Sequence, residues 1–390
     1  MSYDLVIIGA GIQGAGVAQA AAAAGYSVLV LEQSAIAAGT SRASSKLIHG
    51  GLRYLESGQL SLVRESLRER ALLLKLAPEL VRLQPLHIPI YHDSSRSPAT
   101  IYSGLWLYKI LAGLSSEANF SRVSRRDWAE LDGLKTQGLR QVFRYYEAQT
   151  NDALLTAAVL ASAQSLGADV RIPAEFIGAQ LHAEGCEIEY RQSGQSRSVR
   201  SRVLVNCSGP WVTQTLARVT PQQPSPAVEL VQGSHLLLPP LLKHRFYLEA
   251  PQDRRAVFAL PWEGRLLLGT TETPHAGAPE DAHCLDRERD YLLETLCQYF
   301  PTLEIPPVGE IDSFAGLRVL PRSEQSAFGR SREVLFHTDN PEQPRLLSLM
   351  GGKLTTYRAT AEQAMARLAP SLPKRPAIAS TTEIPLTPPR

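Results

Sequence analysis

The first thirty-two residues constrain the fold most, because an apolar run, a glycine-rich turn, a helix-forming stretch and a second apolar run follow one another. Residues 4–8 (DLVII) are typical of a short parallel strand buried on both faces. The turn 9–14 (GAGIQG) precedes an alanine-rich stretch to residue 24, and the second apolar run, 27–31, ends at Glu32. This order predicts the βαβ unit of an α/β fold that binds a dinucleotide.

Each glycine of the turn has a physical role in such a unit. Gly9 allows a tight turn, Gly11 lets a pyrophosphate approach backbone N–H groups at the helix N-terminus, and Gly14 permits close packing of helix on strand. Glu32 lies where a carboxylate accepts hydrogen bonds from a ribose, and its charge would repel the extra phosphate of NADP. The pattern therefore favours FAD or NAD and leaves both open.

Composition and sequence pattern give no support for a nucleic-acid-binding, metal-binding or membrane-spanning protein. The chain has 390 residues, enough for two domains, and its 40 basic and 38 acidic residues leave a net charge of +2, which gives no reason to expect a nucleic-acid partner. The four cysteines form no metal-binding or disulfide spacing, so we expect no metal site. Without a basic, apolar leader or a run of about eighteen apolar residues, the chain is expected to be cytoplasmic.

Two more glycine turns occur far from the first. An apolar run ends at residue 205 and is followed by 206–211 (NCSGPW), and another, 346–350, is followed by 351–356 (GGKLTT), which is expected to open a helix. The stretch 44–56 (SSKLIHGGLRYLE) combines small hydroxyls, adjacent glycines and basic side chains, as suits backbone that runs against a flat, polar-edged ligand. Such dispersed turns favour a discontinuous FAD fold over a single nicotinamide domain.

At this point the chain closely resembles the FAD-dependent glycerol-3-phosphate dehydrogenases of the aerobic type, within the D-amino-acid-oxidase-like flavoprotein group. The matching stretches are 44–56, 205–212 (VNCSGPWV), 233–235 (GSH), 260–262 (LPW), 269–272 (GTTE), 316–318 (GLR) and 351–358 (GGKLTTYR). Better-known members continue into a helical C-terminal domain, whereas this sequence ends at Arg390. Oligomeric state and delivery of the electron acceptor therefore stay open.

The resemblance implies an α/β fold with a discontinuous, Rossmann-like FAD-binding domain and a second, β-rich substrate domain. The expected FAD-binding segments are 1–85, 145–220 and 325–372, the expected substrate segments are 86–144 and 221–324, and a proline-rich tail, extended or disordered, covers 373–390.

The implied activity is oxidation of sn-glycerol 3-phosphate to dihydroxyacetone phosphate, by hydride transfer to flavin N5, with electrons passed to a quinone at the membrane surface. Three alternatives remain at this stage. They are an FAD-dependent oxidase or dehydrogenase of an amino acid or 2-hydroxy acid, a glycerol-3-phosphate oxidase that uses oxygen, and a flavin-binding protein without turnover.

Holding a phosphate dianion where water is excluded requires at least two fixed cations. Arg53 and Arg318 are predicted to form this clamp, and Lys353 to contact either substrate or flavin, as the resemblance also implies. Alcohol oxidation needs a base, for which His49 is preferred and His235 is the competitor.

Hydroxyl groups of Tyr54 and Thr270 are further candidates for contact with the substrate. The turns and the resemblance together imply contacts to FAD from Gly9, Gly11, Gly14, Glu32, Thr40, Ser44, Ser45, Lys46, Gly50, Gly51, Gly209, Trp211, Gly352, Lys353, Leu354 and Thr355.

Two further expectations concern the surface and a strand. Residues 101–114 form an apolar, aromatic helix followed by arginines at 122, 125 and 126, a pairing that suits peripheral contact with the inner face of a membrane. A partly buried helix followed by a solvated loop is the simpler interpretation and is favoured. Residues 86–91 are expected to form an edge strand, because Pro89 has no N–H to donate.

Overall fold

The computed structural model describes residues 2–322 and 334–389, which form two β-sheets with helices packed around them. The helices are α1 Ile12–Ala23, α2 Leu60–Leu76, α3 Pro98–Leu111, α4 Asp152–Ser165, α5 Val212–Leu216, α6 Asp286–Tyr299 and α7 Tyr357–Leu368. The strands are β1 Ser2–Ile8, β2 Val28–Leu31, β3 Leu47–Ile48, β4 Val81–Tyr91, β5 Phe120–Arg122, β6 Leu139–Thr150, β7 Asp169–Arg171, β8 Glu175–His182, β9 Gly185–Gln192, β10 Gln195–Asn206, β11 Val219–Thr220, β12 Val228–Leu238, β13 Arg245–Glu249, β14 Ala256–Trp262, β15 Arg265–Gly269, β16 Thr273–His275, β17 Asp312–Pro321, β18 Leu335–Thr338 and β19 Leu346–Met350.

The first sheet is built around the predicted βαβ unit. β1 lies between β2 and β10 and is parallel to both, and β10 is also parallel to β19. Helix α1 packs against α4 and α7, and their alanine-rich faces share one buried core with β1 and β2. Small side chains let these helices approach closely, and the strands, buried on both faces, are continuously apolar as expected.

The three glycine turns follow three adjacent parallel strands, β1, β10 and β19. Ile8 pairs with Asn206, and Asn206 pairs with Ser348, so the carboxyl ends of the strands lie side by side. In open α/β sheets ligands bind at this edge. Turns that are far apart in sequence therefore lie together at one edge of the sheet.

The second sheet carries His235 and Arg318, two of the residues expected at the substrate side. Its main order is β16-β12-β15-β14-β13-β4-β6-β3, with β17 beside β12 and β5 beside β6, and α6 packs on a large apolar core under it. His235 on β12 pairs with Gly269 on β15, and Val231 of β12 pairs with Arg318 on β17. Long-range strand pairing thus brings together segments that are far apart in sequence.

Two expectations about secondary structure differ from the structure. The strand with Pro89 is not at an edge, since β4 lies between β13 and β6; β13 pairs with it only at Leu86 and His87, so Pro89 lies beyond that pairing. The turn 351–356 does not begin a helix, because α7 starts at Tyr357. Four residues separate Gly352 from Tyr357, so the two glycines lie in a loop before the helix.

The tail is packed rather than disordered. Leu386 is buried and its N–H donates to the Leu76 carbonyl, while Arg375 pairs with Asp4 at 2.8 Å. These contacts lay the tail along the first sheet and its helices. The predicted domain limits remain a prediction, and the limit between 324 and 325 lies outside the described residues.

Candidate functional site

A cavity of about 460 Å³ opens where the carboxyl ends of β1, β10 and β19 face the second sheet. It is lined from the first sheet by the three glycine turns and from the second by residues of β12 and β17. The predicted cofactor residues that line it are Gly9, Gly11, Glu32, Thr40, Ser44, Ser45, Gly209, Trp211, Gly352, Lys353, Leu354 and Thr355. The structure therefore brings most of that set together around one elongated space.

At two of these positions a side chain would be strained. Gly9 has φ +100°, and a Cβ there would stand 2.7 Å from the Cys207 carbonyl oxygen; Gly352 has φ +100°, and its Cβ would stand 2.3 Å from Gln13 Nε2. Gly11 caps α1 without any side-chain hydrogen bond. The result is a cradle of bare backbone at a helix N-terminus, which suits a pyrophosphate.

Glu32 forms one end of this cavity. Its Oε2 accepts a hydrogen bond from the Ala10 N–H at 2.9 Å, and its Oε1 accepts one from the Ser34 N–H at 2.8 Å. The carboxylate is thereby fixed beside the glycine turn. This placement fits the predicted contact with an adenosine ribose.

Three predicted cofactor residues have other surroundings. Gly14 packs against β1, since its Cβ would lie 1.9 Å from the Gly9 carbonyl oxygen. Lys46 is buried and its Nζ lies 2.7 Å from Asp152 Oδ1, so its ammonium is in an internal ion pair. Gly50 packs against Tyr108, whose hydroxyl a Cβ would meet at 2.2 Å. These three residues, and Gly51, are absent from the described lining of the cavity.

A second, smaller cavity of about 80 Å³ adjoins the first and shares Ser45, His49 and Arg318 with it. Arg53, Gly51 and Thr270 also line it, so the two predicted clamp arginines meet at one small space. The remaining lining residues are Leu52, Tyr145, Glu147, Tyr247, Arg255, Ala256, Phe258, Thr271 and Glu272.

Sequence reasoning missed Arg255 and Glu272 as members of this site. Glu272 Oε1 lies 3.3 Å from Arg318 Nη1, and its Oε2 lies 3.6 Å from Arg255 Nη1. Arg318 Nη2 also donates to Thr270 Oγ1 at 3.3 Å. Glu272 belongs to the stretch 269–272 that resembles the dehydrogenase family, so the sequence could have indicated it. Nothing in the local sequence distinguishes Arg255 from a surface arginine.

Tyr54 links the two cavities. Its buried ring lies 5.1 Å from Arg53 Cζ and 4.2 Å from Lys353 Nζ, measured to the ring centroid. Cations are attracted to the face of an aromatic ring. The contact places Arg53 of one cavity and Lys353 of the other on the same side chain.

The two candidate histidines differ in environment. His49 lines both cavities. His235 is buried, its Nε2 lies 2.9 Å from Ser45 Oγ, and its ring stacks on Phe314. Burial, together with the charges of Arg318 and Lys46, lowers the pKa of His235 to about 3. A group with so low a pKa holds a proton poorly at neutral pH, which favours His49 as the base.

The buried carboxylate of Glu288 accepts hydrogen bonds from several residues on the substrate side of the site. Glu288 on α6 is 3% exposed and accepts hydrogen bonds from Thr271 Oγ1 at 2.7 Å, Ser234 Oγ at 2.8 Å and Gln232 Nε2 at 2.6 Å. Burial alone would raise the pKa of the Glu288 carboxyl, but hydrogen bonds from Thr271, Leu285 N–H and Ser234 outweigh it and lower that pKa.

Because folding lowers the pKa of the Glu288 carboxyl, we expect the folded protein to lose stability at acid pH. A carboxyl whose pKa is depressed by folding stabilises the protein above its unfolded pKa, and that contribution is lost as pH falls through the folded pKa. We expect Glu288→Gln to lower Tm at pH 7 and to differ less from the parent near pH 4, as measured by thermal unfolding across pH. A Tm difference that stays constant over this range would contradict the assignment.

Comparison with known proteins agrees with this geometry. The family described as FAD dependent oxidoreductase matches residues 4–358. A glycerol-3-phosphate dehydrogenase of Pseudomonas aeruginosa is 38% identical over 94% of this chain and 72% of that protein, and a D-erythritol 1-phosphate dehydrogenase of Brucella abortus is 36% identical over 94% and 73%. The solved structure of a glycerol-3-phosphate dehydrogenase from Bacillus halodurans with FAD superposes with a TM-score of 0.77 at 24% identity, covering 99% of this chain and 68% of that one.

The family match spans both sheets and all three glycine turns, and the expected likeness to FAD-dependent enzymes is confirmed. The glycine cradle, the acid at the end of β2 and the long cavity fit the cofactor that the family carries. The chain therefore belongs to the FAD dependent oxidoreductase family, and its cofactor is FAD.

Proposed function

We propose that this protein oxidises sn-glycerol 3-phosphate to dihydroxyacetone phosphate and passes the electrons to a quinone. The observation that carries the proposal is the small cavity beside the cofactor cavity, in which Arg53, Arg255 and Arg318 meet. The names of relatives at 36–38% identity support a phosphorylated polyol as substrate.

The charges in the small cavity suit a phosphate dianion better than a carboxylate. Of its two acidic side chains, Glu147 is held at 2.6 Å by Arg70, while Glu272 lies between Arg255 and Arg318. The described lining therefore carries more positive than negative charge. A monoanionic carboxylate needs one bidentate arginine, whereas a dianion removed from water needs several cations.

The remaining residues suit oxidation of an alcohol. With Gly9, Gly11, Glu32 and the 351–355 loop holding FAD, the cofactor supplies the hydride acceptor. His49, at the junction of the two cavities, is placed to take the proton of the substrate hydroxyl. Arg53 and Arg318 hold the phosphate, and the aromatic side chains of Tyr247 and Phe258 also line this cavity.

The substrate assignment is tested by steady-state turnover of the FAD-loaded protein with an artificial electron acceptor. We expect kcat/KM to be highest for sn-glycerol 3-phosphate, lower for D-erythritol 1-phosphate and negligible for glycerol or a 2-hydroxy acid, which lack the phosphate. Preference for an unphosphorylated acid would overturn the proposal. Quinone reduction that exceeds hydrogen peroxide formation distinguishes a dehydrogenase from an oxidase.

A membrane surface is the natural source of a quinone, and α3 offers a surface of matching character. Trp106 (42% exposed), Ile110 (57%) and Leu114 (61%) project from α3 and its end, and Arg125 and Arg126 follow nearby. Among the described residues, the helices are too short or too polar to cross a bilayer. Peripheral contact through this apolar patch is therefore part of the proposal.

The membrane contact predicts binding to anionic lipid vesicles. We expect the protein to co-sediment with vesicles of anionic lipid and the double variant Ile110→Ser, Leu114→Ser to bind several-fold more weakly. Because both side chains are more than half exposed, the variant should keep its Tm and its FAD. Absence of sedimentation by the parent protein would remove this part of the proposal.

A further inference from the structure

A buried polar cluster lies directly behind the turn that carries His49. It consists of Arg70 on α2, Tyr108 on α3 and Glu147 on β6, each no more than 2% exposed. Arg70 Nη1 donates to Glu147 Oε2 at 2.6 Å, and the Tyr108 hydroxyl donates to Glu147 Oε1 at 2.5 Å. Three elements from different parts of the chain are thus joined through one carboxylate.

The cluster contacts the backbone of the turn. The Gly50 N–H points to the Tyr108 hydroxyl oxygen at 2.9 Å and to Glu147 Oε2 at 3.3 Å. From the opposite side, the His49 N–H donates to Thr355 Oγ1 at 3.2 Å, in the loop that lines the FAD cavity. Two consecutive backbone N–H groups are therefore held, one by the cluster and one by the cofactor loop.

Both glycines of the turn stand where a side chain would not fit. A Cβ at Gly50 would overlap the Tyr108 hydroxyl at 2.2 Å, and Gly51 has φ +77°. The turn also joins His49 to Arg53, so its position sets both the candidate base and one arginine of the clamp. Displacement of a reacting group by about 1 Å lowers rates by about a hundredfold.

Stability alone does not account for such a cluster. A buried ion pair is often replaced by apolar side chains without loss of stability. Here Glu147 also lines the small cavity, so the same side chain contacts both the candidate substrate site and the backbone of the turn. We propose that Tyr108, Glu147 and Arg70 are positioning residues that hold the His49–Gly51 turn for catalysis, an inference that rests on the proposed function.

The variant Tyr108→Phe tests this, because it keeps the buried ring and removes the oxygen bonded to Gly50 and Glu147. In the FAD-loaded protein we expect kcat with sn-glycerol 3-phosphate to fall about tenfold, KM to change less than twofold, and the pH profile of kcat to shift. We also expect faster amide hydrogen exchange in the peptide containing residues 49–53. Tyr102→Phe, on the same helix but packed on Phe120, is the matched control and should change none of these.

The readouts separate the inference from the proposed function. Unchanged exchange in Tyr108→Phe, or faster exchange with unchanged kcat, would overturn the positioning role. A fall in kcat that merely follows FAD content or Tm would do the same. Glu147→Gln, which keeps the shape of the side chain, should raise exchange in the same peptide. If the parent protein does not turn over sn-glycerol 3-phosphate but Tyr108→Phe still exchanges faster, the proposed function is wrong. The conclusion that the cluster holds the turn would then still stand.

Discussion

Gly9→Ala is expected to purify almost free of flavin. The substitution puts a Cβ 2.7 Å from the Cys207 carbonyl oxygen, at a φ of +100° that alanine rarely adopts. Relief requires the β1 and β10 turns to separate, which opens the cradle proposed for the pyrophosphate. We expect the ratio of flavin to protein absorbance to fall at least tenfold, with reconstitution requiring far more FAD than the parent.

Gly194→Ala is the matched control for this experiment. Gly194 also has a positive φ, +76°, but lies in the β9–β10 hairpin, where a Cβ meets nothing within 4 Å. The control therefore also places alanine at a positive φ, but without the clash. Equal flavin loss in both variants would assign the effect to general destabilisation and contradict the role given to Gly9.

Arg318→Ala is expected to lower kcat/KM for sn-glycerol 3-phosphate by roughly two to three orders of magnitude. Removing the cation from a desolvated pair with the bound phosphate costs about 2–5 kcal/mol, which corresponds to about 30-fold to about 5,000-fold in kcat/KM. The variant also leaves Glu272 without its 3.3 Å contact to Arg318. That carboxylate would then oppose the incoming phosphate.

Two measurements keep this prediction specific. Flavin content should stay near that of the parent, because the glycine cradle is intact. Arg191→Ala, which removes a half-exposed arginine paired with Glu175 on the first sheet, should leave kcat/KM unchanged. An Arg318→Ala protein with parental kcat/KM would mean that the phosphate binds elsewhere.

Local patterns predicted the parts of the site that follow strands. Each glycine turn ends an apolar run, and parallel strands bring such turns to one edge, so Gly9, Gly209 and Gly352 could be placed near one ligand without a structure. Arg53 and Arg318 were recognised by motif, and the structure puts them on the same small cavity.

Residues whose partners are distant in sequence could not be assigned in this way. Lys46 lies in a loop whose composition is typical of contact with a ligand. Its ammonium group instead forms an ion pair with Asp152, more than a hundred positions away in sequence. Arg255 immediately precedes β14, and the pairing of β14 with β15 brings it near Glu272, which follows β15. Proline content predicted an extended or disordered tail, but buried Leu386 and the ion pair of Arg375 with Asp4 hold it against the rest of the chain.

In the function proposed here, a cavity that holds FAD and a cation-rich cavity that holds a phosphorylated polyol meet at His49. The decisive experiment is anaerobic mixing of the FAD-loaded protein with sn-glycerol 3-phosphate, followed by the visible flavin absorbance. We expect the absorbance to bleach with stoichiometric substrate and glycerol to have no such effect. Flavin that stays oxidised in excess sn-glycerol 3-phosphate would show that the protein does not oxidise this substrate.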